Sequence, residues 1–322
     1  LIFGGRTPPS TTSSATENFD GSSWTTSPAT LGTAAKQSAA FGTKSAAVYA
    51  GNDPAANITQ EYNSSANVIT AAAWASGPSL GTGRYLGGYG ITPTNTTIVF
   101  GGHTTTSVAN TEEYNGTSFS ENGDMNTARS RITGFGTQTA VVTMGGRQVS
   151  TPNNNMNNTE LYNGSSWTNG PTYPTSARGI GGAGTNSAGL AISTWTGSAG
   201  STLCNDWDGS SWTSAEGNLN TARGYASGWG TQNDAGAAGG SPPPAGLAYE
   251  EYNGTSWTTK NSMVTNVPSG GEAGFGGTPG AIKGNGNGNT HSQEWSGTSW
   301  STAASRANTN YGGGMSGGNT AT

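Results

Sequence analysis

Apolar and polar residues alternate along short stretches of this chain, and turns rich in glycine or asparagine separate the stretches. Residues 139–146 (TAVVTMGG) and 96–102 (TTIVFGG) are among the more apolar ones. Alternation with a two-residue period is typical of β-strands, and the 3.6-residue apolar period of an amphipathic helix is missing. The pattern therefore predicts an all-β fold of short antiparallel strands.

A short phrase of the type Tyr-Asn-Gly-Thr-Ser-Trp recurs along the whole chain. The aromatic residues that open its copies are Phe19, Tyr62, Tyr114, Tyr162, Trp207, Tyr252 and Trp295. Successive openings lie 43 to 52 residues apart, and the two chain ends together supply one further period. A repeat of this length with four strands is typical of β-propellers, whereas the rung of a β-solenoid is shorter.

Two further strands accompany each copy of the phrase. A glycine-rich strand such as residues 128–137 comes first, and an apolar strand such as residues 139–146 follows and ends in Gly-Gly. We therefore predict one seven-bladed β-propeller domain over residues 1–322, with four-stranded antiparallel blades. The outer hairpins are expected near residues 17–25, 60–74, 112–120, 160–168, 205–213, 250–258 and 293–301.

The two ends of the chain complement each other within this repeat. Residues 319–322 followed by residues 1–5 make one copy of the apolar strand that ends in Gly-Gly. We expect the C-terminal part to supply the innermost strand of one blade and the N-terminal part to supply its outer hairpin. The ring would then close within a blade that both termini share, which removes an open seam between sheet edges.

The dipeptides Asn-Gly and Asp-Gly at the centre of the phrase predict tight hairpins. A two-residue type I′ turn at Asn115–Gly116 needs positive φ at both positions, and Asn and Gly suit that conformation. In that register Tyr114 faces Thr117 and Glu112 faces Phe119. The aromatic residues then share one face of each hairpin, which gives every hairpin an apolar side to bury.

In order, each unit has an arginine, a glycine-rich strand, an apolar run ending in Gly-Gly, a tyrosine and a tryptophan. This order resembles the kelch repeat, which is also found in the propeller domain of galactose oxidase, and the resemblance extends over the whole chain. Two departures are a missing glycine turn in the second unit and the sequence STWTG (193–197) where Gly-Gly is expected. The repeated YNGTSW-like phrases are also similar to structural proteins of marine bacteriophages.

Six of the twelve basic residues fall at one position of the repeat, where the innermost strand is expected to begin. They are Lys36, Arg84, Arg129, Arg178, Arg223 and Arg306. One interpretation is structural: each side chain is buried and bonds backbone carbonyls or the recurrent glutamate of the hairpin. The other interpretation is a binding site for an anion or a glycan at the mouth of the central channel.

A second recurring position is aromatic and precedes a glycine. Its members are Phe41, Tyr89, Phe135, Trp229 and Phe275. We expect these rings to pack between blades, and a platform for stacking sugars is the alternative. The segments after Gly-Gly vary most and are rich in Asn, Thr and Ser, which suit hydrogen bonds to sugars. They include residues 6–15, 147–158, 241–246 and 285–291.

Composition narrows the function classes. The net charge is −5 and no basic run is present, which argues against nucleic-acid binding, and no apolar stretch approaches the length of a membrane span. His103, His291 and Cys204 lie in different units, so no metal or cofactor site is expected. Glu112 and Glu113 point to opposite faces of a strand and cannot form the carboxylate pair of a glycosidase.

The sequence therefore predicts a non-enzymatic structural or binding module on a virion or cell surface, for example a phage tail-fibre or appendage protein. Its partners would be surface glycans or neighbouring proteins, recognised by loops on one face of the propeller. The start at Leu1 indicates a processed product or a fragment of a longer protein. Two alternatives stay open: an intracellular kelch-type adaptor with an apolar groove, and a glycan-active propeller enzyme.

Overall fold

The computed structural model describes residues 1–7, 11–19, 22–27, 29–36, 39–42, 46–51, 58–63, 73–85, 87–90, 96–149, 154–266, 274–277, 280–284, 292–303 and 314–315. This part of the chain contains strands and one short 3₁₀ helix, Ala245–Leu247, and no α-helix. The prediction of an all-β fold is confirmed. Neighbouring strands within each sheet are antiparallel, as the alternating pattern and the short connections require.

The described residues form seven four-stranded sheets, which we number by the position of their outer hairpins. Sheet 1 contains β32 (Gly314–Met315), β1 (Ile2–Phe3), β4 (Thr16–Phe19) and β5 (Trp24–Thr26). Sheet 2 contains β6 (Ala39–Gly42), β7 (Ala46–Ala50), β8 (Thr59–Asn63) and β9 (Ala73–Ser76). Sheet 3 contains β10 (Gly88–Gly90), β11 (Thr97–Phe100), β12 (Thr111–Tyr114) and β13 (Phe119–Asn122).

Four more sheets repeat the same order of strands. Sheet 4 contains β14 (Thr133–Thr137), β15 (Ala140–Met144), β18 (Thr159–Tyr162) and β19 (Trp167–Asn169). Sheet 5 contains β20 (Gly181–Thr185), β21 (Ala188–Ile192), β22 (Cys204–Trp207) and β23 (Trp212–Ser214). Sheet 6 contains β24 (Ser227–Gly230), β25 (Ala235–Ala238), β26 (Tyr249–Tyr252) and β27 (Trp257–Thr259). Sheet 7 contains β28 (Gly274–Gly277), β29 (Gly280–Gly284), β30 (Ser292–Trp295) and β31 (Trp300–Ala303).

Two short ribbons lie between the second and third strands of their sheets. The first joins β2 (Arg6–Thr7) to β3 (Thr11–Thr12), and the second joins β16 (Arg147–Gln148) to β17 (Asn154–Asn155). Both ribbons follow a Gly-Gly pair, in the segments where the sequence varies most. They add structure to the loops without adding a strand to the sheets.

Successive sheets pack against each other through their first strands and through their apolar second strands. Strand β14 contacts both β10 and β20, and β24 contacts both β20 and β28. Phe135 and Met144 of sheet 4 are buried in one cluster with Ala191 and Trp207 of sheet 5. The core is thus a series of layers between adjacent sheets, and the aromatic residues fill most of each layer.

The Gly-Gly pairs make the approach between adjacent sheets possible. Gly145 and Gly146 at the end of β15 have φ values of 63° and 105°, and the Gly146 amide donates to the Ala177 carbonyl of the next sheet at 2.8 Å. A Cβ atom on Gly145 would lie 2.6 Å from that same carbonyl oxygen. Only glycine meets both the backbone conformation and the close contact.

The first and last described residues belong to the same sheet. Ile2 pairs with Met315 on one side and with Glu17 on the other. Strand β1 therefore lies between the C-terminal strand β32 and the hairpin β4–β5, in the order expected from the sequence. Residues 319–322, which were expected to precede this strand in the repeat, lie outside the described residues.

The predicted type I′ turn and its register are wrong. Tyr114 pairs with Phe119, so the loop between them has four residues, and Asn115 does not have positive φ, although Gly116 does at 98°. The reason is the asparagine side chain, because Asn115 Oδ1 accepts the amide protons of Thr117 and Ser118, both at 2.9 Å. This Asx turn holds the wider loop closed and places the two aromatic rings directly opposite each other.

Hydrogen bonds from tyrosine also join adjacent sheets. The Tyr162 hydroxyl of sheet 4 donates to Glu113 Oε1 of sheet 3 at 2.6 Å, and Tyr114 and Glu61 make the equivalent bond one sheet earlier. Leu161 stands at the glutamate position of sheet 4, and the opposing residue of sheet 5 is Trp207, which has no hydroxyl. Both the acceptor carboxylate and the donor hydroxyl of this hydrogen bond are therefore absent between sheets 4 and 5.

Candidate functional site

Three of the predicted basic residues lie in buried ion pairs. Arg84 pairs with Glu112, Arg129 with Glu160 and Arg223 with Glu250, with N–O distances of 2.5, 2.9 and 2.9 Å. Each pair joins the entry to the first strand with the third strand of the same sheet. All six side chains are at most 1 % exposed, so their charges are sealed from any ligand. The structural interpretation holds for these three arginines, and they are not residues of a channel-mouth binding site.

Further hydrogen bonds accompany the ion pairs. Glu160 Oε2 accepts the Asn126 amide at 2.6 Å while Oε1 accepts from Arg129. In sheet 6, the Arg223 Nη2 also donates to the Ala237 carbonyl at 3.2 Å. Burial lowers the pKa of the Arg129 guanidinium, and the charge of Glu160 opposes that shift. The glutamate therefore fixes both the arginine and the connecting segment that precedes the strand.

Lys36 and Arg178 do not belong to this position, although the sequence suggested that they do. The carbonyl of Arg129 accepts the Gly102 amide of the preceding sheet at 2.9 Å. In sheet 5 the carbonyl in this role is that of Ala177, and in sheet 2 it is that of Ala35. Lys36 and Arg178 therefore follow the buried position by one residue. Arg306, the sixth residue of the predicted set, lies outside the described residues.

The partner position changes together with the arginine. Sheets 2 and 5 have Ala35 and Ala177 at the arginine position, and their third strands carry Gln60 and Asn205 where sheets 3, 4 and 6 carry glutamate. The amide of Gln60 bonds the Gly32 amide and the Thr33 carbonyl. A buried carboxylate without a cation would cost several kcal/mol, roughly 3–5 by analogy with broken buried pairs, so a neutral side chain is expected wherever the arginine is absent.

Backbone bridges connect the entries of the first strands with the segments that leave the second strands. We call this series the bridge belt. It consists of the ribbon β16–β17 and the pairs Tyr85–His103, His103–Ser107, Ser130–Arg147, Met156–Ala177, Arg178–Trp195, Trp195–Gly200, Ser201–Arg223 and Gly224–Ser241. The belt runs across sheets 3 to 6 at one end of the sheets, and its loops contain two of the variable segments, 147–158 and 241–246.

Arg178 lies on the bridge belt at the centre of a polar and aromatic cluster. Its Nη1 donates to Asn155 Oδ1 at 2.6 Å, and its Nε donates to the Tyr225 hydroxyl at 2.8 Å. Asn155 in turn donates to the Trp195 carbonyl at 3.3 Å. The rings of Trp195 and Tyr225 lie 5.8 Å apart. We call Asn155, Arg178, Trp195 and Tyr225 the Arg178 cluster, and it combines groups from sheets 4, 5 and 6.

Two more arginines lie on the bridge belt, and one of them, Arg147, is next to this cluster. Arg147 pairs with Asn155 in the ribbon, which puts their side chains on the same side of it, and Arg131 follows the bridge residue Ser130. Both are partly exposed, and neither has a carboxylate partner within the described part of the chain. The described belt segments 101–110, 129–132, 145–149, 154–158, 177–180, 193–203, 223–226 and 239–248 contain no Asp or Glu. The belt therefore carries positive charge on a protein that is acidic overall.

The backbone is also unusual at this end of the molecule. Arg131, Ser193 and Tyr225 have φ values of 54°, 56° and 59°, in the left-handed region that non-glycine residues rarely occupy. Tyr225 uses this conformation to lay its ring over Gly179, where a Cβ atom would lie 2.5 Å from the ring. That position brings the Tyr225 hydroxyl to Arg178.

The other candidates from the sequence have structural surroundings. Phe135 and Trp229 are buried between sheets as expected, and the side chains of Phe41, Tyr89 and Phe275 lie outside the described residues. No group of three His, Cys, Asp or Glu side chains that could hold a metal ion occurs among the described residues. Within the same residues, no helix is long and apolar enough to cross a membrane.

Sequence reasoning missed Asn155, Trp195 and Tyr225. Their signal was the departure from the repeat: STWTG replaces Gly-Gly in sheet 5, and Tyr225 of sheet 6 stands where sheet 5 has Gly179. Asn155 gave no signal, because it lies in a run of asparagines at 153–155 that looks like an ordinary surface loop. Only the ribbon β16–β17 turns it toward Arg178.

No protein-family model matches the sequence, and no curated protein matches it. Among solved structures, YjhT is similar, with a TM-score of 0.63 and 8 % sequence identity over 85 % of this chain and 98 % of that chain. YjhT is a propeller-type structure. At this level of identity the likeness concerns the fold alone, and with the repeated small sheets it makes the fold of this chain β-propeller-like.

Proposed function

We propose that this chain is a non-enzymatic binding module on a virion or cell surface, and that the bridge belt is its recognition face. Its partners are surface glycans or neighbouring proteins. The observation that carries the proposal is the Arg178 cluster, where a cation, an amide and two aromatic rings from three sheets meet and where Asn155 lies on a variable loop. Ligand sites are commonly built in this way, from variable loops on a rigid scaffold.

We also propose that the seven sheets are the blades of one closed, kelch-like propeller in which both termini share sheet 1. The contacts between successive first strands and the pairing of Ile2 with Met315 support this arrangement. A closed ring would present the belt loops around one end of a central channel. Small-angle X-ray scattering should then give the compact, disc-like envelope of a closed propeller, and an open or extended envelope would contradict the ring.

Symmetry distinguishes the Arg178 cluster from the rest of the repeat. The buried ion pairs and the hairpin loops recur in several sheets, as expected for groups that have the same structural role in each. The Arg178 cluster occurs in one place, and it combines residues from three sheets. A single asymmetric ligand is expected to bind where the repeat is broken, because identical residues in every sheet cannot match the different groups of one ligand.

The adaptor alternative has less support. An adaptor for intracellular partners needs an apolar groove, and Leu203 and Val264 are the large apolar side chains that stand exposed among the described residues. Leu203 lies in a belt segment, but the Arg178 cluster is polar and the belt carries positive charge. The described residues bring no set of carboxylates to the Arg178 cluster, which gives a glycan-active enzyme no acid–base pair there.

A glycan array combined with pull-down from purified surface fractions would test the proposal. We expect selective retention of a subset of glycans or of one surface protein by the intact chain. The belt variant Trp195→Ala should reduce this retention, and Thr258→Ala on the outermost strand should leave it unchanged. Failure of the intact chain to bind both panels would contradict the proposed function.

A further inference from the structure

We infer that the Arg178 cluster binds an anionic saccharide, whose carboxylate or sulfate group contacts Arg178 and whose sugar ring lies against Trp195. The inference rests on the proposed function and goes further by naming one site and one class of ligand. The argument starts from Arg178, because this arginine lies one residue after the position at which Arg84, Arg129 and Arg223 are neutralised.

The charge of Arg178 is not balanced inside the protein. Arg84, Arg129 and Arg223 each have a buried glutamate, whereas the partners of Arg178 are the neutral side chains of Asn155 and Tyr225. These two bonds use Nε and Nη1 and hold the guanidinium in one orientation. Nη2 has no hydrogen-bond partner among the described residues. A fixed guanidinium with a remaining donor and no carboxylate partner is suited to bind an oxyanion.

Arg147 increases the attraction for an anion. It stands opposite Asn155 in the ribbon, so Asn155 lies between two cationic side chains. The Nε atom of Arg147 is buried and has no hydrogen-bond partner within the described part of the chain. Because the described belt segments contain no Asp or Glu, the field of these arginines is not cancelled locally. An anion is therefore favoured over a neutral or cationic ligand of the same shape.

The aromatic residues point to a saccharide rather than to an acidic peptide. Trp195 and Tyr225 are both partly exposed, and their rings form a tilted pair next to the guanidinium. An aromatic face of this kind can cover the apolar face of a sugar ring, and the Asn, Thr and Ser residues of the belt can bond its hydroxyl groups. A peptide would be expected to place apolar side chains in pockets, and the exposed large apolar residues Leu203 and Val264 do not belong to the cluster.

Binding of defined oligosaccharides to the intact chain would test this inference. The probes are an oligogalacturonate, a sulfated galactan oligosaccharide and a neutral galactan oligosaccharide of the same length, measured by titration calorimetry. We expect at least one of the two anionic probes to bind and the neutral one to bind at least tenfold more weakly. Affinity should fall as salt rises, because the contact is electrostatic.

Variants locate the site. We expect Arg178→Ala to weaken binding of the anionic probe at least tenfold, and Arg178→Lys to weaken it severalfold because an ammonium lacks the planar fork. Trp195→Ala should weaken it while leaving the salt dependence intact. Lys260→Ala is the matched control, because it removes one positive charge at the end of β27, where Lys260 pairs with Glu251. It should stay within twofold of the parent, and melting curves would verify that all variants fold.

The outcomes separate the inference from the proposed function. Retention of neutral glycans or a surface protein, with no effect of Arg178→Ala, would overturn the anionic site but keep the binding module. Equal loss in Lys260→Ala and Arg178→Ala would also overturn the site, because general charge would then explain the affinity. Preference for an acidic peptide over both anionic sugars would overturn the saccharide class. No binding to any probe, glycan array or surface protein would contradict both proposals.

Discussion

Sheets 4 and 5 are neighbours with the same strand order, yet they differ in the residues that precede the first strand. Sheet 4 buries Arg129 against Glu160 and keeps the Gly145–Gly146 pair. Sheet 5 has Ala177 and Asn205 in place of the ion pair and Ser193–Thr194 in place of Gly-Gly. Its Arg178 lies on the belt, is 8 % exposed and bonds neutral side chains.

The comparison separates charge that holds the fold from charge that is open to a ligand. In sheet 4 the cation and the anion occur together, and in sheet 5 they are lost together, so the core of each sheet stays electrically balanced. The arginine of sheet 5 is not a member of the buried pair that has moved outward. It occupies the next position, where it no longer needs a glutamate and meets groups from two other sheets.

The largest expected effect comes from breaking the ion pair of sheet 4. Arg129→Ala leaves Glu160 buried without a cation, and we expect a loss of about 3–5 kcal/mol in the free energy of unfolding, measured by denaturant titration. The double change Arg129→Ala with Glu160→Gln copies the Ala35–Gln60 arrangement of sheet 2 and should recover most of that loss.

Arg178→Ala is the matched control in sheet 5. Its two hydrogen bonds go to Asn155 and Tyr225, which are neutral and partly exposed, so we expect a loss of roughly 1–3 kcal/mol, at about 0.5–1.5 for each bond. Equal losses for Arg129→Ala and Arg178→Ala would contradict the distinction between the two sheets. A double variant no more stable than Arg129→Ala would contradict the account of the paired substitution.

The hairpin loops are a feature that the repeat keeps in both kinds of sheet. Gly116 in sheet 3 and Gly209 in sheet 5 have φ values of 98° and 96°. We expect Gly116→Val and Gly209→Val each to cost about 1–3 kcal/mol, since a β-branched residue strongly disfavours that conformation. Thermal melting of both variants should give similar losses. Unchanged melting would contradict the glycine requirement, and a large difference would mean that the two loops are not equivalent.

The sequence allowed the strands and their order to be predicted, because the aromatic phrases mark every outer hairpin. It misled on the hairpin register, because the same Asn-Gly sequence is compatible with a two-residue turn and with a four-residue loop. The four-residue loop forms because the Asn115 side chain accepts hydrogen bonds from the backbone. The sequence also misled on the recurring basic position, which Lys36 and Arg178 do not share. Arg129 and Arg223 precede the next Gly-Thr pair by seven residues, whereas Lys36 and Arg178 precede it by six.

That difference of one residue was visible in the sequence, and so was the exchange of glutamate for Asn205 or Gln60. The Arg178 cluster itself could not be predicted. It depends on the ribbon that turns Asn155 inward and on the left-handed conformation that brings Tyr225 across Gly179. Both are tertiary features, and neither residue type nor spacing specifies them.

A smaller effect is expected from Cys204, which takes the place in sheet 5 that Thr159 has in sheet 4. Its side chain is buried, and burial raises the pKa of the thiol to about 11. The folded protein therefore holds this proton more tightly than the unfolded chain. The stabilising contribution is complete below the ordinary thiol pKa near 9 and is lost as pH rises through 11.

We expect a fall on the order of 1 kcal/mol between pH 8 and pH 11 in the parent relative to Cys204→Ala, because a shift of one unit corresponds to about 1.4 kcal/mol and relaxation reduces it. The comparison removes the titration of other groups. A thiol reagent at pH 8 should leave Cys204 unmodified in the folded protein and react after unfolding. Rapid modification of the folded protein would contradict the buried thiol.

The smallest expected effect concerns Ser193, the residue that replaces the first glycine of the pair in sheet 5. Its φ of 56° matches the 63° of Gly145, but serine carries a Cβ atom in this conformation, and its hydroxyl is buried without a hydrogen-bond partner. Ser193→Gly should therefore stabilise the protein by about 0.5–1 kcal/mol, after allowance for the greater freedom of glycine in the unfolded chain. Ser193→Ala separates the causes, since it removes the unpaired hydroxyl and keeps the strained Cβ. The two variants would be compared by denaturant titration, and a destabilised Ser193→Gly would mean that the serine makes a contact that outweighs the strain.

If Ser193→Gly is more stable and also binds the anionic probe more weakly, the strained serine contributes to the position of Trp195 two residues later. If binding is unchanged, the departure from Gly-Gly does not serve the Arg178 cluster, and that cluster depends on Asn155 and Tyr225 alone.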